Sequence, residues 1–86
     1  MRVTVRFFAR LHEAAGRDVW TCDVPAGASI ADVWQAAVGV HAALEPFSDV
    51  VSCARNDDFA KMVTNVEAGD EVAFLPPVSG GAPMCR

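Results

Sequence analysis

The feature that most constrains this chain is a single strongly patterned helix beginning at Ser29. Ser29-Ile30-Ala31-Asp32 fits a capping box, in which a hydroxyl and an acidic side chain satisfy backbone N–H groups left free at a helix start. Ile30, Val33, Trp34, Ala37 and Val38 then follow at helical spacing and form one continuous apolar stripe, with Gly39 as the expected stop. No second segment of comparable length carries such a stripe, so its partner has to be a sheet. Trp34 is expected to anchor that contact and not to hold a cofactor.

Strand patterns flank the helix. Val3, Val5 and Phe7 alternate with Arg2, Thr4 and Arg6, the period of a half-buried strand. Phe8 breaks the alternation by placing an aromatic ring on the polar side. Residues 10–15 read as a short helical turn closed by Gly16. A second strand follows over about residues 18–24, with Val19 and Trp20 as its expected anchors, and a short connection favours an antiparallel hairpin. Beyond the main helix, residues 41–45 suit a short helix ended by Pro46. A third strand runs to Arg55 and the turn formers Asn56-Asp57-Asp58. Residues 59–63 suit a short strand, and Gly69 marks a turn that needs positive φ. The last strand, residues 71–75, stops at Pro76-Pro77 because proline cannot donate to a ladder. The order predicts one two-layer α+β domain.

The 86 residues carry a formal charge of −4, which argues against non-specific nucleic-acid binding by clustered cations. No apolar run is long enough to span a bilayer and no signal-peptide core follows Arg2, so a cytoplasmic location is expected. Cys22, Cys53 and Cys85 are odd in number and unclustered, which supports neither a disulfide framework nor a metal site. His12 and His41 belong to no recognisable catalytic spacing. Asp57, Asp58, Asp70 and Glu71 sit beside turns, where solvated carboxylates are expected. The chain is therefore not expected to be an enzyme on its own or to bind a cofactor.

What remains is the end of the chain. A strand leads into the stiff Pro76-Pro77 elbow, then Val78 and Ser79, then Gly80-Gly81. From Pro76 to Gly81 the reach is at most about 20 Å. Two glycines without Cβ atoms let the backbone enter a narrow tunnel in a partner. The expected organisation is a domain over residues 1–78, a Gly-Gly tail over residues 79–81 and an extension over residues 82–86.

Thr64, Val66 and the run from Gly69 to Gly81, with its Gly-Asp-Glu-Val-Ala-Phe-Leu-Pro-Pro-Val-Ser-Gly-Gly ending, closely resemble the C-terminus of molybdopterin synthase small subunits. Val5, Phe7-Phe8-Ala9, Glu13, Gly16 and Ala54-Arg55-Asn56 resemble the same ubiquitin-like sulfur carriers, so the likeness spans residues 1–81. It implies a ubiquitin-like β-grasp fold, with a mixed sheet of four to five strands and one main helix packed across one face. It also implies one job, carrying sulfur as a thiocarboxylate on Gly81. The implied partners are an E1-like adenylyltransferase that uses ATP and the large subunit of molybdopterin synthase. Val72 and Phe74 alternate with Ala73 and Leu75, so with Val72 and Phe74 turned inward beside Val3, Val5 and Phe7 the docking face is expected on the side of the sheet away from the helix. There Phe8 and Leu75 are expected to anchor the contact, with Arg6 and Arg10 as rim charges.

One departure matters. Ala82-Pro83-Met84-Cys85-Arg86 follows the glycines, so the Gly81 carbonyl is held in a peptide bond. Trimming by a peptidase after Gly81 is the favoured explanation, because exposed tails are where cleavage is easiest. The start of a fused large subunit and an inactive remnant are the alternatives. Two other readings stay open: a carrier for cysteine, thiamine or a specialised metabolite, and a ubiquitin-like interaction module that carries no sulfur.

Overall fold

A computed structural model describes residues 1–76, which form one sheet with helices on one side. The elements are β1 (Arg2–Phe7), α1 (Arg10–Ala15), β2 (Val19–Asp23), α2 (Ile30–Val40), a 3₁₀ helix (Ala42–Phe47), β3 (Ser52–Arg55), β4 (Asp58–Ala60) and β5 (Glu71–Leu75). The five strands lie in the order β2-β1-β5-β3-β4. β1 and β5 pair in parallel, with Val5 opposite Val72 and Phe7 opposite Phe74, and the other pairs are antiparallel. A mixed sheet with parallel first and last strands at its centre and one main helix across it is the β-grasp architecture expected above.

Local chemistry explains most element boundaries. Ser29 caps α2 as its sequence implied: its hydroxyl accepts from the Asp32 N–H, and the Asp32 carboxylate accepts from the Ser29 N–H at 2.9 Å. Asn56 and Asp57 both have positive φ, 51° and 75°, which gives the two-residue turn whose twist matches a tight hairpin between β3 and β4. Gly69, at φ 86°, turns the chain into β5, a conformation costly for a residue with a Cβ.

The core lies between α2 and one face of the sheet. Val3, Val5, Phe7, Ile30, Val33, Trp34, Ala37, Leu44, Val72 and Phe74 are all buried there. The Phe74 ring centroid is 4.9 Å from that of Trp34 and 6.3 Å from that of Phe7, so one side chain joins helix and sheet. Trp34 Nε1 donates to Ser48 Oγ at 3.0 Å, which satisfies the indole N–H and ties α2 to the end of the 3₁₀ helix.

Three expectations are corrected. Gly39 does not end α2, which continues to Val40 with His41 as its C-cap. The stop is tertiary: the His41 ring packs edge-on against Phe7 and Trp20. Val19 is not an anchor of β2. Register places it opposite Arg6, whereas Trp20 and Cys22 lie opposite the buried Val5 and Val3. Pro46 lies inside the 3₁₀ helix instead of ending one.

Gly39 also yields a prediction. It is exposed, and no atom lies within 4 Å of the position a Cβ would take. Gly39→Ala is expected to stabilise the domain by about 0.5–1 kcal/mol through reduced backbone entropy in the unfolded chain. A urea unfolding midpoint that stays level or falls would contradict this.

Candidate functional site: the outer sheet face and the tail exit

β5 is flanked by β1 and β3, and its C-terminal end leads directly to Pro76. Alternation along β5 turns Val72 and Phe74 into the core and leaves Glu71, Ala73 and Leu75 on the opposite, outer face. Phe8 N–H donates to Phe74 O at 3.2 Å, which continues the β1–β5 ladder one step past Phe7 and Phe74. Phe8 and Leu75 therefore sit at the level where the tail leaves. Leu75 is half-buried, while Phe8 is exposed at 39%.

The chain leaves β1 abruptly at Ala9, whose φ of 52° and ψ of −124° suit glycine far better than alanine. Such a conformation costs on the order of 1–3 kcal/mol and survives only when its surroundings enforce it. The enforcement is visible: Leu11 N–H donates to Phe8 O, and His12 N–H to Ala9 O, both at 3.0 Å. The sharp corner starts α1 and keeps Phe8 at the rim of the sheet.

Arg6 spans this face. Its guanidinium carbon lies 5.4 Å above the Phe8 ring centroid, a cation–π distance, and Nη1 donates to Glu71 Oε2 at 3.3 Å. Both partners of that ion pair are about two-fifths exposed, so it orients the guanidinium more than it stabilises the fold. Arg6 Nε is buried and has no hydrogen-bond partner among the described residues. Arg10, the first residue of α1, is exposed.

The structure adds two residues that the sequence reading missed. Phe59, opposite Ala54 in the β3–β4 hairpin, is 81% exposed, and Val19 is 45% exposed beside Arg6. The signal for Phe59 was present in the Asn56-Asp57 turn, because a two-residue loop sets the register that brings Phe59 opposite Ala54. Pro77, Val78, Ser79, Gly80 and Gly81, the expected tail and its reactive end, lie outside the described residues.

The other polar cluster is structural and corrects a further expectation. Asp70 is buried, not solvated. Its carboxylate accepts from Arg55 Nε at 2.6 Å, the Glu67 N–H at 2.8 Å and Asn56 Nδ2 at 3.1 Å. Burial by itself pushes the Asp70 carboxyl up, but these hydrogen bonds and the Arg55 charge together hold it below the ordinary carboxylate value. Asn56 Oδ1 in turn accepts from the Glu71 N–H at 3.0 Å, so the cluster fastens the β3–β4 turn to the start of β5. That is the end of β5 opposite the tail exit.

Burial pushes the Cys22 thiol up, with Asp23 adding to the effect, and it pushes up the buried Cys53 thiol as well. Both are poor nucleophiles. Among the described residues no group of three or more His, Cys, Asp or Glu side chains is arranged to hold a metal, and no helix is long and apolar enough to cross a membrane.

Comparison with known proteins gives the same architecture. Residues 5–81 match the ThiS family. Small archaeal modifier protein 1 of Haloferax volcanii is 38% identical over 84 residues, a match covering 88% of this chain and 97% of that protein. The molybdopterin synthase sulfur carrier subunit of Chlamydomonas reinhardtii is 31% identical, covering 94% of this chain and all of that protein. A crystal structure of the Haloferax volcanii modifier superposes with a TM-score of 0.82 at 35% identity, over 94% of this chain and 100% of its own. With a match from residue 5 to residue 81 and a sheet that agrees strand for strand with the expected β-grasp, the chain belongs to the ThiS family of ubiquitin-like sulfur carriers.

Proposed function

We propose that this protein carries sulfur for molybdopterin synthesis as a thiocarboxylate on Gly81, formed after the chain is cut behind that residue. The observation that carries the reading is where β5 ends: the strand delivers Pro76 to the rim of the outer face, beside Phe8 and Leu75. A docking surface and a slim reactive arm thus leave the domain together. A partner that binds Phe8 and Leu75 receives the tail in a fixed direction, which lowers the entropy lost in positioning its end.

The chemistry concerns one carbonyl carbon. Hydrolysis of the Gly81–Ala82 bond frees a carboxylate, which is a poor electrophile. An E1-like adenylyltransferase and sulfurtransferase converts it with ATP to an acyl-adenylate, and sulfur then displaces AMP. The large subunit of molybdopterin synthase takes the sulfur and returns the carboxylate. This chain contributes the docking face and the arm, and the partners contribute charge stabilisation and proton transfer. Relatives named as molybdopterin synthase carrier subunits favour this pathway over a cysteine, thiamine or specialised-metabolite route.

A second reading is favoured by the 38% identical relative, which is named as a modifier protein. The same activated Gly81 would then pass to a lysine of another protein. Incubation of chains ending at Gly81 and at Arg86 with ATP and the activating enzyme tests the proposal by intact mass. The shorter chain is expected to gain AMP, and then to exchange one oxygen for sulfur when a sulfur donor is added. The longer chain is expected to stay unchanged. Equal loading of both removes the trimming step, and no loading of either removes the carrier reading. Adducts of Gly81 on cellular lysines, without sulfur transfer to a large subunit, favour the modifier.

A further inference from the structure

We infer that the free edge of β2 is a self-association surface, on which a second copy of this chain pairs strand against strand and joins the two five-stranded sheets into one. The inference is independent of any chemistry at Gly81.

β2 closes the sheet on one side and β4 on the other, so each has a side without a neighbouring strand among the described residues. The ladder decides which backbone groups of β2 face that side. Phe7 N–H donates to Asp18 O at 2.9 Å, and Val24 N–H donates to Met1 O at 2.8 Å. Asp18, Trp20, Cys22 and Val24 therefore turn their N–H and C=O groups toward β1, whereas Val19, Thr21 and Asp23 turn theirs to the open edge.

Such edges are ordinarily guarded by shortness, a lysine, a proline or a bulge. β4 is guarded, being three residues long and set between the Asn56-Asp57 turn and Lys61. β2 has none of these guards. Its five residues, Val-Trp-Thr-Cys-Asp, include the β-branched and aromatic side chains that favour strands. Charge stands only around its ends, with Arg17 and Asp18 before it and Asp23 as its last residue.

Those charges select a second copy as the occupant. Identical antiparallel strands related by a two-fold axis place side chains of the same face opposite one another. With Trp20 of each copy meeting at the axis, Val19 lies opposite Thr21 of the other copy, and Arg17 lies opposite Asp23. Val19 and Thr21 then exchange their outward backbone hydrogen bonds. Trp20 falls at the position where cross-strand side chains come closest, and it is half-buried with His41 already packed against it. Arg17 is exposed and makes no ion pair with any described residue, and the Arg2 contact of Asp23 is itself exposed. Centring the axis on Thr21 would set Val19 against Asp23, and centring it on Val19 would set Arg17 against Thr21. Either register loses the charge pairs.

This symmetry keeps both outer faces on one side of the joined sheet, with Phe8 and Leu75 left uncovered. Because β5 runs in opposite directions in the two copies, the two Pro76 exits lie at opposite ends. One strand pair buries less than the roughly 800 Å² per partner of a standard interface, so a dissociation constant of about 10–100 µM is expected.

Sedimentation velocity of the full chain over about 5–500 µM, in a reducing buffer that keeps Cys85 from cross-linking it, tests the pairing. The expected result is a monomer–dimer equilibrium. Hydrogen exchange at the Val19 and Thr21 amides should slow as concentration rises, while the Trp20 and Cys22 amides are protected throughout. Arg17 and Asp23 are both exposed, so substitutions there leave the core intact. Arg17→Asp and Asp23→Arg are each expected to weaken the dimer roughly tenfold, and the double variant should restore it, because the facing charges are then exchanged and not lost. A monomer at every concentration, a dimer that protects the Phe59 amide in place of Val19 and Thr21, or a double variant no tighter than the single ones would each overturn the inference.

Discussion

Phe74→Ala is expected to remove about 3–5 kcal/mol of stability, a large part of the 5–15 kcal/mol typical of a whole domain. The side chain is fully buried and meets Phe7 along the sheet and Trp34 across the layer boundary. Truncation removes the ring's transfer energy and leaves a cavity that a strand fixed between β1 and β3 closes poorly. Urea unfolding followed by tryptophan fluorescence measures the loss, since Trp34 lines the same contact. Phe8→Ala supplies the control. Phe8 adjoins the same ladder but is exposed at 39%, so its removal is expected to cost less than about 1 kcal/mol. Similar losses for the two variants would mean that Phe8 is a core residue and that the outer face is not free for a partner.

Asp70→Ala is expected to cost about 2–3 kcal/mol, lowering the melting temperature by roughly 10–20 °C in a domain this small. The carboxylate is the common acceptor of Arg55, Asn56 and the Glu67 N–H, so its removal leaves three donors to find water. The Arg55 side chain is 32% exposed and recovers part of its hydration, which keeps the cost below that of a fully buried charge pair. The same group predicts a pH dependence. Its folded value is depressed, so its contribution is complete above the ordinary carboxylate value of about 3.9 and is lost as pH falls through the folded value. Asp70→Asn cannot titrate, so below about pH 4 its thermal stability should fall less steeply than that of the parent. Parallel acid profiles for the two proteins would show that Asp70 does not couple folding to protonation.

Much of the fold was legible before any coordinates. Ser29 and Asp32 satisfy N–H groups within one helical turn of themselves, and the β5 alternation needs only the geometry of an extended chain. The misreadings share a cause. Val19 looks like an anchor until the partner strand sets it opposite Arg6, and Asp70 looks solvated until Arg55 and Asn56 arrive from β3 and its turn. Gly39 resembles a helix stop, yet the aromatic contacts of His41 govern where α2 ends. For the site, Phe8 and Leu75 could be placed from alternation alone, whereas Phe59 needed the hairpin register.

By itself the sequence determined the helix start, the strand periods, the Gly69 turn and the Gly80-Gly81 ending, because each depends on groups a few residues apart. Only the tertiary structure decided that the outer face carries Val19 beside Arg6 and that Asp70 is a buried fastening. Those facts depend on which strands become neighbours and in what register. That outcome is set by burying α2, β1 and β5 against one another, and no local pattern encodes it.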